Sequence, residues 1–316
     1  MLSVKYIRCH GSGNRFLMLD AVAHPQLEAL ADHPALIEAL CTHKERMDGL
    51  LLTVRVGNEY GMRMFNTDGS EAEMCGNGIR CVARQAQAYV GEEVDAFPLW
   101  SGGVRHAIHR EEPIYGSIPT YRVDIRIQLT SADFPSAESE GWIGRPIPEL
   151  DSDLRFTFLN LGNPHLTAEC AHIDLDTLTR LGEQVKTLPE LLPHGVNVSL
   201  FRHIDEEEIY TATYERGVGL TSSCGTAMTA CSTTACLLGL CRTEHPIRVR
   251  NSGGMVRCCC HRKGASITTS LSGNATYEAE GVLTLDIDTE RIVGMEHEEP
   301  RQAEIAQYEA FLKTKQ

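Results

Sequence analysis

Two cysteine-centred segments decide how the chain is interpreted. Residues 68–78 read DGSEAEMCGNG, and residues 215–226 read ERGVGLTSSCGT. Cys75 and Cys224 are each followed by small residues and then by a helix-like run. At such a position backbone N–H groups and the positive end of a helix dipole converge, which favours the thiolate form of a cysteine. The sequence therefore predicts two reactive thiols, one at the start of each of two helices.

The spacing of these segments indicates two domains. They lie roughly 150 residues apart, which is about the length of one domain. The chain of 316 residues is long for a single core and suits two domains of ordinary size. The simplest arrangement is two similar halves that each contribute one thiol to a shared cleft, with the domain junction near residues 115–130. The halves repeat a similar order of elements, which favours an internal duplication although they share no extended residue identity.

Two facing thiols suggest a two-base proton exchange at the α-carbon of an amino acid. The α-proton is weakly acidic, so its removal needs a base on one face and stabilisation of the carbanion. One cysteine takes the proton as a thiolate, the other returns one as a thiol from the opposite face, and the roles swap for the reverse substrate. Helix N-termini aimed at the substrate carboxylate supply oriented donors for the intermediate. This chemistry requires neither a metal nor a pyridoxal cofactor, so we expect none.

Composition and charge narrow the class of protein. A hydrophobic content of 42%, a charged content of 23% and the absence of a long apolar run are typical of a globular protein without a membrane span. Residues 1–6 lead straight into strand-like sequence without a signal-peptide pattern, so we expect a cytoplasmic location. The formal net charge of −14 argues against nucleic-acid binding and favours a small-molecule partner. The twelve cysteines are scattered through the chain and are expected to stay reduced.

Hydrophobic periodicity and turn signals predict alternating strands and helices. The predicted helices are residues 25–43 with an interruption at His33-Pro34, 75–90, about 174–186, the run from the Cys224 loop to about 238, and the tail after Pro300. The predicted strands lie within residues 3–20 and at 50–54, 60–65, 104–110, 122–129, 156–161, 196–200, 209–214 and 281–287. Residues 130–155 are predicted to form a loop. The C-terminal tail is expected to serve packing rather than function.

Several blocks of sequence resemble the diaminopimelate epimerase family. They keep the family's order from Gly11 to about Gly281. The blocks are FNTDGSE at 65–71, MCGNGIRCVAR at 74–84, GNPH at 162–165, VNV at 196–198, ERG at 215–217 and CGT at 224–226. The related proline racemases share a two-cysteine plan but usually have histidine where Asn77 stands and lack the Glu-Arg-Gly block, so they fit less well.

The resemblance implies an α/β fold with two pseudo-symmetric domains. Each would wrap a mixed, barrel-like β-sheet round a central helix, with the active site between the domains. The half that carries Cys75 is predicted to comprise residues 1–120 and 275–316. The half that carries Cys224 is predicted to comprise residues 121–274. The sequence leaves the oligomeric state open, with a homodimer as one alternative.

The resemblance also implies a role for each matching residue. Cys75 and Cys224 match the two acid/bases, and Glu215 and Arg216 match residues that meet the substrate amine and the distal carboxylate. The residues predicted to hold the α-carboxylate are Gly76, Asn77, Gly225 and Thr226. The amides predicted for the distal site are Asn66, Asn163 and Asn197, with Asn14 nearby. A diaminodicarboxylate needs a fixed guanidinium and several amides of this kind, so the predicted reaction interconverts LL- and meso-diaminopimelate, in lysine and peptidoglycan precursor biosynthesis.

Two departures from the family pattern touch the substrate region. After Cys224-Gly225-Thr226 the family usually has another glycine, whereas this chain has Ala227-Met228. The glycine-rich stretch before Asp48-Gly49 is shortened to residues 43–47. These changes leave racemisation of another amino acid by the same thiol pair as an alternative.

Other interpretations compete at single residues. Cys81, Cys231 and Cys236 lie inside helical runs and are expected to be core residues. His165 either tunes one thiol or is satisfied by the local backbone, and Asn14 and Asn163 either bind substrate or hold turns. Arg80 and Arg84 are expected to be structural salt-bridge partners.

The run Cys258-Cys259-Cys260-His261 invites a metal-site interpretation. Consecutive residues of a strand alternate faces, so these cysteines cannot readily converge on one tetrahedral ion. A strand with small apolar side chains is therefore the prediction. From other functional classes, a thiol redox or metal-binding protein and a catalytically silent binding protein remain as alternatives.

Overall fold

The chain forms two units, and each carries one of the two cysteine segments. The computed structural model describes residues 1–134 and 141–313. Unit 1 comprises Met1–Val123 and Gly273–Gln316, and unit 2 comprises Asp124–Ser272. Part of the loop predicted at residues 130–155, namely residues 135–140, lies outside the described residues.

Strands dominate the described part of the chain. In chain order they are β1 (Leu2–Gly11), β2 (Asn14–Asp20), β3 (Gly49–Val56), β4 (Glu59–Asn66), β5 (Glu71–Ala72), β6 (Ala96–Ser101), β7 (Val104–Glu111), β8 (Thr120–Ile127), β9 (Arg145–Pro146), β10 (Arg155–Asn160), β11 (Pro164–Glu169), β12 (Asn197–Asp205), β13 (Glu208–Glu215), β14 (Gly219–Thr221), β15 (Pro246–Asn251), β16 (Gly254–Lys263), β17 (Ser266–Asn274), β18 (Thr276–Asp286) and β19 (Arg291–Pro300). The α-helices are α1 (Pro34–Thr42), α2 (Gly76–Val90), α3 (Leu175–Gln184), α4 (Gly225–Leu237) and α5 (Gln302–Lys313). Short 3-10 helices occupy Pro25–Asp32, Pro148–Leu150 and Val185–Thr187.

Unit 1 combines hairpins with two parallel crossovers. β1 pairs antiparallel with β2, and β2 then pairs parallel with β3 after α1. β3 and β4 form a hairpin, and β4 pairs parallel with β6 after α2. β6, β7 and β8 continue as an antiparallel meander. On its other side β1 pairs antiparallel with β18, which pairs with β19.

Unit 2 repeats this topology element by element. β10 pairs antiparallel with β11, and β11 pairs parallel with β12 after α3. β12 and β13 form a hairpin, and β13 pairs parallel with β15 after α4. β15, β16 and β17 close the series as an antiparallel meander. The repetition places α2 and α4 at equivalent positions, each within a crossover between two parallel strands.

The helix α4 is buried because its residues are small, whereas α2 is buried mainly over its first eight residues, Gly76–Ala83. α4 reads GTAMTACSTTACL, and every residue from Gly225 to Cys236 is buried. It packs against β11, β12, β13, β15 and β16, while α2 packs against β1, β2, β3, β4 and β6. A helix with small side chains all round can be enclosed by a curved sheet, since strand residues reach it on every side. The predicted mixed α/β fold with a central helix in each half is confirmed.

Most predicted elements are found, but several strands, among them β6, β11, β17 and β19, were not predicted. The His33-Pro34 interruption is confirmed, because the 3-10 helix ends at Asp32 and α1 begins at Pro34. β19 was missed, since its sequence RIVGMEHEEP lacks the alternation of apolar and polar residues that marks a half-buried strand. Its residues are exposed or half-buried, as suits a strand paired with β18 alone among the described strands. Among the described helices, none is both long and apolar enough to cross a membrane.

Candidate active site

Cys75 is the N-cap residue of α2. Its backbone is extended, with φ −135° and ψ 104°, and its Sγ accepts a hydrogen bond of 3.3 Å from Gly78 N–H. A cysteine sulfur thus satisfies one of the N–H groups that a helix start leaves without an intrahelical partner. The same donor stabilises a negative charge on the sulfur. Cys75 is half-buried.

Cys224 is the N-cap residue of α4. Its backbone is also extended, with φ −129° and ψ 111°, and its Sγ lies 3.5 Å from Thr226 Oγ1. Only 7% of the residue is exposed, but it lines a cavity of about 430 Å³ within unit 2. The cavity is bounded by β13, by β14 with the loop that follows it, and by the turn after β15. The sulfur therefore borders a space large enough for a small molecule.

In unit 1, Asn14 and Asn77 gather round Cys75. Asn14 Oδ1 lies 3.9 Å from Cys75 Sγ and accepts a hydrogen bond of 3.3 Å from Asn77 Nδ2. Gly76 and Asn77 are the first two residues of α2, so their N–H groups belong to the helix start. Asn66 ends β4, and its Nδ2 donates to Ser70 Oγ at 3.0 Å. The Asn66 amide nitrogen thus contributes to the turn of residues 66–70.

Arg80 organises the Cys75 side, and the sequence did not reveal this role. The residue is fully buried. Its guanidinium donates to Gly76 O at 2.7 Å and Asn77 Oδ1 at 3.0 Å, and it reaches Ser12 Oγ and Asn274 O. Because Asn77 Oδ1 is taken by Arg80, the Asn77 amide nitrogen is turned towards Asn14. Arg84, by contrast, forms the expected structural ion pair, with Glu304.

Two glycines make room for this guanidinium. A Cβ on Gly11 would lie 2.8 Å from Arg80 Nη2, and a Cβ on Gly273 would lie 2.8 Å from Arg80 Cζ. Both distances are too short for any side chain other than hydrogen. Gly11 and Gly273 belong to segments that are far apart in the sequence. The sequence alone therefore does not indicate that both glycines approach the Arg80 guanidinium.

In unit 2, Asn163 links His165 to the start of α4. Asn163 Nδ2 donates to Thr226 Oγ1 at 3.3 Å, and Asn163 Oδ1 lies 3.0 Å from His165 Nε2. Thr226 in turn contacts Cys224, so these four residues form one cluster. His165 Nε2 therefore contacts a side chain of the predicted site. This partner is neither a thiol nor the local backbone, which were the two alternatives.

A second cluster of unit 2 contains Asn197, Glu215 and Arg216. Asn197 begins β12, and its Oδ1 accepts from Arg216 N–H at 2.8 Å. Glu215 ends β13 and accepts a hydrogen bond from Thr221 Oγ1. The Arg216 side chain is exposed and donates to the carbonyl oxygen of His194. A fixed backbone with an exposed guanidinium suits recognition of a carboxylate.

Most of the remaining cysteines are core residues, whereas Cys170 and Cys259 are half-buried. Cys81 and Cys231 are fully buried within the two central helices, and Cys236 is 9% exposed. In β16, Cys258 and Cys260 are buried while Cys259 is half-buried, as alternation along a strand requires. Within residues 1–134 and 141–313, no group of three or more His, Cys, Asp or Glu residues could hold a metal ion.

The burial of His165 makes stability depend on pH. Burial, with the positive charge of Arg216, lowers the pKa of His165 to about 3, so its imidazole is neutral near pH 7. The unfolded chain takes up a proton at this residue below its ordinary pKa of about 6.5, and the folded chain does not. The stability contributed by the neutral residue is therefore lost as the pH falls from about 6.5 towards 3.

We expect His165→Gln to reduce this acid sensitivity. Between about pH 7 and about pH 5 the wild type should lose about 2 kcal/mol of unfolding free energy through this residue. The variant keeps an amide that can contact Asn163 but has no proton to take up. Urea unfolding at the two pH values measures the difference. Equal losses in the wild type and the variant would show that His165 titrates normally in the folded state.

Comparisons with known proteins point to one family and one fold. The family model described as diaminopimelate epimerase matches residues 6–115 and 157–278. A diaminopimelate epimerase of Clostridium acetobutylicum is 36% identical over 294 residues, which cover 90% of this chain and 87% of that protein.

Two solved structures are similar in fold. A phenazine biosynthesis protein of the PhzF family from Bacillus anthracis has a TM-score of 0.66 at 14% identity, covering 90% of this chain and 100% of its own. A hydroxyproline epimerase from Agrobacterium vitis has a TM-score of 0.64 at 12% identity, covering 90% of this chain and 92% of its own. At these sequence identities the two structures support a similarity of fold alone.

Proposed function

Because the chain belongs to the diaminopimelate epimerase family, we propose that it interconverts LL- and meso-diaminopimelate by exchanging the α-proton at Cys75 and Cys224. Membership of the family makes the chain an isomerase that acts on a small molecule. The observation that carries the proposal is the equivalence of the two thiols. Each is the N-cap of a buried helix, and the two helices hold the same place in two units of the same topology.

The proposed reaction uses one cysteine on each face of the α-carbon. The thiolate of one cysteine takes the α-proton, and the electron pair of the broken C–H bond passes into the substrate carboxylate. The thiol of the other cysteine then donates its proton to the opposite face, which inverts the centre and leaves that sulfur as the thiolate. The reverse substrate uses the same pair with the roles exchanged.

Backbone donors at the helix starts stabilise the intermediate. When the α-carbon loses its proton, the carboxylate takes on dianionic character and needs fixed positive dipoles. In the proposal these are the N–H groups at the starts of α2 and α4, contributed by Gly76, Asn77, Gly225 and Thr226. Preoriented donors need no rearrangement during the reaction, and their effect is largest where water is excluded.

The distal end of the substrate is assigned to the second cluster of unit 2. Arg216 is proposed to bind the distal carboxylate and Glu215 the amine, with Asn66, Asn163, Asn197 and Asn14 as amide contacts. Support comes from the exposed Arg216 guanidinium and from Asn197, which fixes the Arg216 backbone. As part of the same proposal the reaction serves lysine and peptidoglycan precursor biosynthesis in the cytoplasm.

One experiment tests reaction and specificity together. Purified protein is incubated in D2O under reducing conditions, without added cofactor, with LL-diaminopimelate and separately with a panel of single L-amino acids. Proton NMR and chiral chromatography then follow deuterium uptake and inversion. We expect deuterium at the α-carbon and formation of the meso isomer with diaminopimelate alone.

The other outcomes of this experiment have distinct meanings. Exchange with a different amino acid would support the two-thiol chemistry and show that the substrate is that amino acid. The departure from the family pattern at Ala227-Met228 is compatible with this outcome. No exchange with any substrate would overturn the proposed function. Mass spectrometry of the wild-type protein before the assay verifies that its thiols are reduced. Oxidation then cannot account for a lack of exchange.

A further inference from the structure

The C-terminal helix α5 packs against the segment that positions Cys75. It lies beyond the residues matched by the family model, which end at residue 278. Tyr308 is 6% exposed, and its ring centroid lies 4.4 Å from that of His10. Glu304 forms a two-pronged ion pair with Arg84 of α2, with N···O distances of 2.7 and 2.8 Å. α5 is therefore anchored to the core of unit 1 at two points.

His10 supports the turn that follows it. The residue is 4% exposed and stands next to last in β1. Its Nδ1 accepts a hydrogen bond of 3.2 Å from Gly13 N–H and lies 3.4 Å from Asn274 Nδ2. Ser12 and Gly13 have φ values of 54° and 83°, the left-handed backbone of a two-residue hairpin turn, and Ser12 N–H is held in addition by Asn274 Oδ1 at 2.9 Å.

The turn carries Asn14 to Cys75. Asn14 follows Gly13 directly, and its Oδ1 is the atom that faces Cys75 Sγ and accepts from Asn77. A shift of the turn therefore moves the amide beside the sulfur. A carbonyl oxygen that accepts the S–H hydrogen favours the protonated thiol over the thiolate.

We propose that Tyr308, acting through His10, is a positioning residue for Asn14 beside the Cys75 thiol. The Tyr308 ring packs against the His10 imidazole at an interplanar angle of 59°. The imidazole accepts the Gly13 N–H hydrogen bond, and the position of Gly13 determines that of Asn14, the next residue. The proposal rests on the proposed role of Cys75 as an acid/base. It assigns a task in the active site to a helix whose sequence indicates packing alone.

The support depends on a neutral imidazole, because only an unprotonated Nδ1 can accept the Gly13 hydrogen bond. Burial, with the positive charges of Arg15 and Arg80, lowers the pKa of His10 to about 3. Three groups face it, namely Arg15 of β2, Arg80 of α2 and Tyr308 of α5, and Glu278 of β18 binds Arg15. Removal of the Tyr308 ring admits water, which raises the His10 pKa towards its ordinary value. The charges of Arg15 and Arg80 still lower the pKa of His10 in the variant, but the weaker desolvation lets His10 become protonated, and release Gly13, at a higher pH than in the wild type.

The test compares Tyr308→Ala with two partner variants of the full-length protein. Tyr308→Phe keeps the ring and should restore wild-type behaviour. Phe311→Ala removes a ring of the same helix that packs on Tyr115 at 4.1 Å, and so it reports loss of helix packing. Circular dichroism confirms folding. If Tyr308→Ala is unfolded, Tyr308→Leu, which keeps most of the apolar volume, takes its place with the same expected direction.

The first readout is alkylation of the two thiols by iodoacetamide near pH 7, followed by peptide mass spectrometry. In Tyr308→Ala we expect Cys75 to react roughly three-fold faster or more, as for one lost hydrogen bond. Cys224 in the same molecule should react at the wild-type rate. This readout needs no substrate, so it tests the inference even if the proposed function fails.

The second readout is the α-proton exchange rate of each variant relative to wild type between about pH 8 and about pH 5. The ratio for Tyr308→Ala should fall as the pH is lowered, because His10 of the variant takes up a proton at a pH at which His10 of the wild type is still neutral. A ratio that is low but independent of pH indicates a structural role only and overturns the proposal. Wild-type alkylation of Cys75 in Tyr308→Ala, equal changes at both thiols, or the same changes in Phe311→Ala would also overturn it.

Discussion

Replacing either Cys75 or Cys224 by serine is expected to abolish the interconversion of LL- and meso-diaminopimelate and to spare proton exchange at one face. A serine hydroxyl is a far weaker acid than a thiol, so at neutral pH it can neither take the α-proton as an anion nor return it readily. The loss of one acid/base group should lower inversion by about 10²- to 10⁴-fold. The remaining cysteine keeps its N-cap position and can still remove the proton that it faces.

The measurement separates inversion from exchange. LL- and meso-diaminopimelate are incubated separately in D2O, and each variant is followed by NMR and by chiral chromatography. Cys81→Ala and Cys231→Ala serve as matched controls, because they remove buried cysteines from the same two helices and should retain inversion. Near-normal inversion by Cys75→Ser or Cys224→Ser would refute the two-thiol mechanism.

Arg216→Met is expected to cripple turnover of diaminopimelate. The backbone N–H of Arg216 is held by Asn197 and its guanidinium by the His194 carbonyl, so the exposed charge is preset for a carboxylate. In the proposed complex the substrate buries this charge pair, and truncation of one partner of a buried charge pair costs about 2–5 kcal/mol. That corresponds to a fall of roughly 30- to 5,000-fold in kcat/KM.

The control for Arg216→Met is Arg202→Met. Arg202 is an exposed arginine of β12, so this variant changes the net charge by the same amount within the same unit. It should leave kcat/KM near the wild-type value. A loss of less than a few-fold in Arg216→Met would remove Arg216 from the distal site and would leave the proton exchange at Cys75 and Cys224 untouched.

Local signals explain the parts of the fold that could be predicted. The helix starts at Cys75 and Cys224 and the break at His33-Pro34 each depend on residues within a few positions of one another. β19 could not be predicted, because its place is set by pairing with β18 and its own residues carry no strand pattern. The resemblance to the diaminopimelate epimerase family is confirmed by the match over residues 6–115 and 157–278.

The candidate site divides in the same way. The contacts of Cys75 with Gly78 and of Cys224 with Thr226 follow from the sequence, because they span two or three residues. The role of Arg80 does not, since its guanidinium joins Ser12 and Asn274, which are separated by most of the chain. Burial of an arginine depends on the two glycines beside it, and only the folded chain brings those glycines together.

The pairing of β1 with β18 affects the order in which the two units can fold during synthesis. Leu2 pairs with Leu285, so β1 finds this neighbour only after residue 285 has been synthesised. Unit 2 is one continuous segment, Asp124–Ser272, and can bury its own core earlier. The helix that begins after Cys224 is therefore packed while β1 still has an open edge. A released chain that stops at residue 272 would contain all of unit 2 but would leave the edge of β1 that pairs with β18 open to other chains.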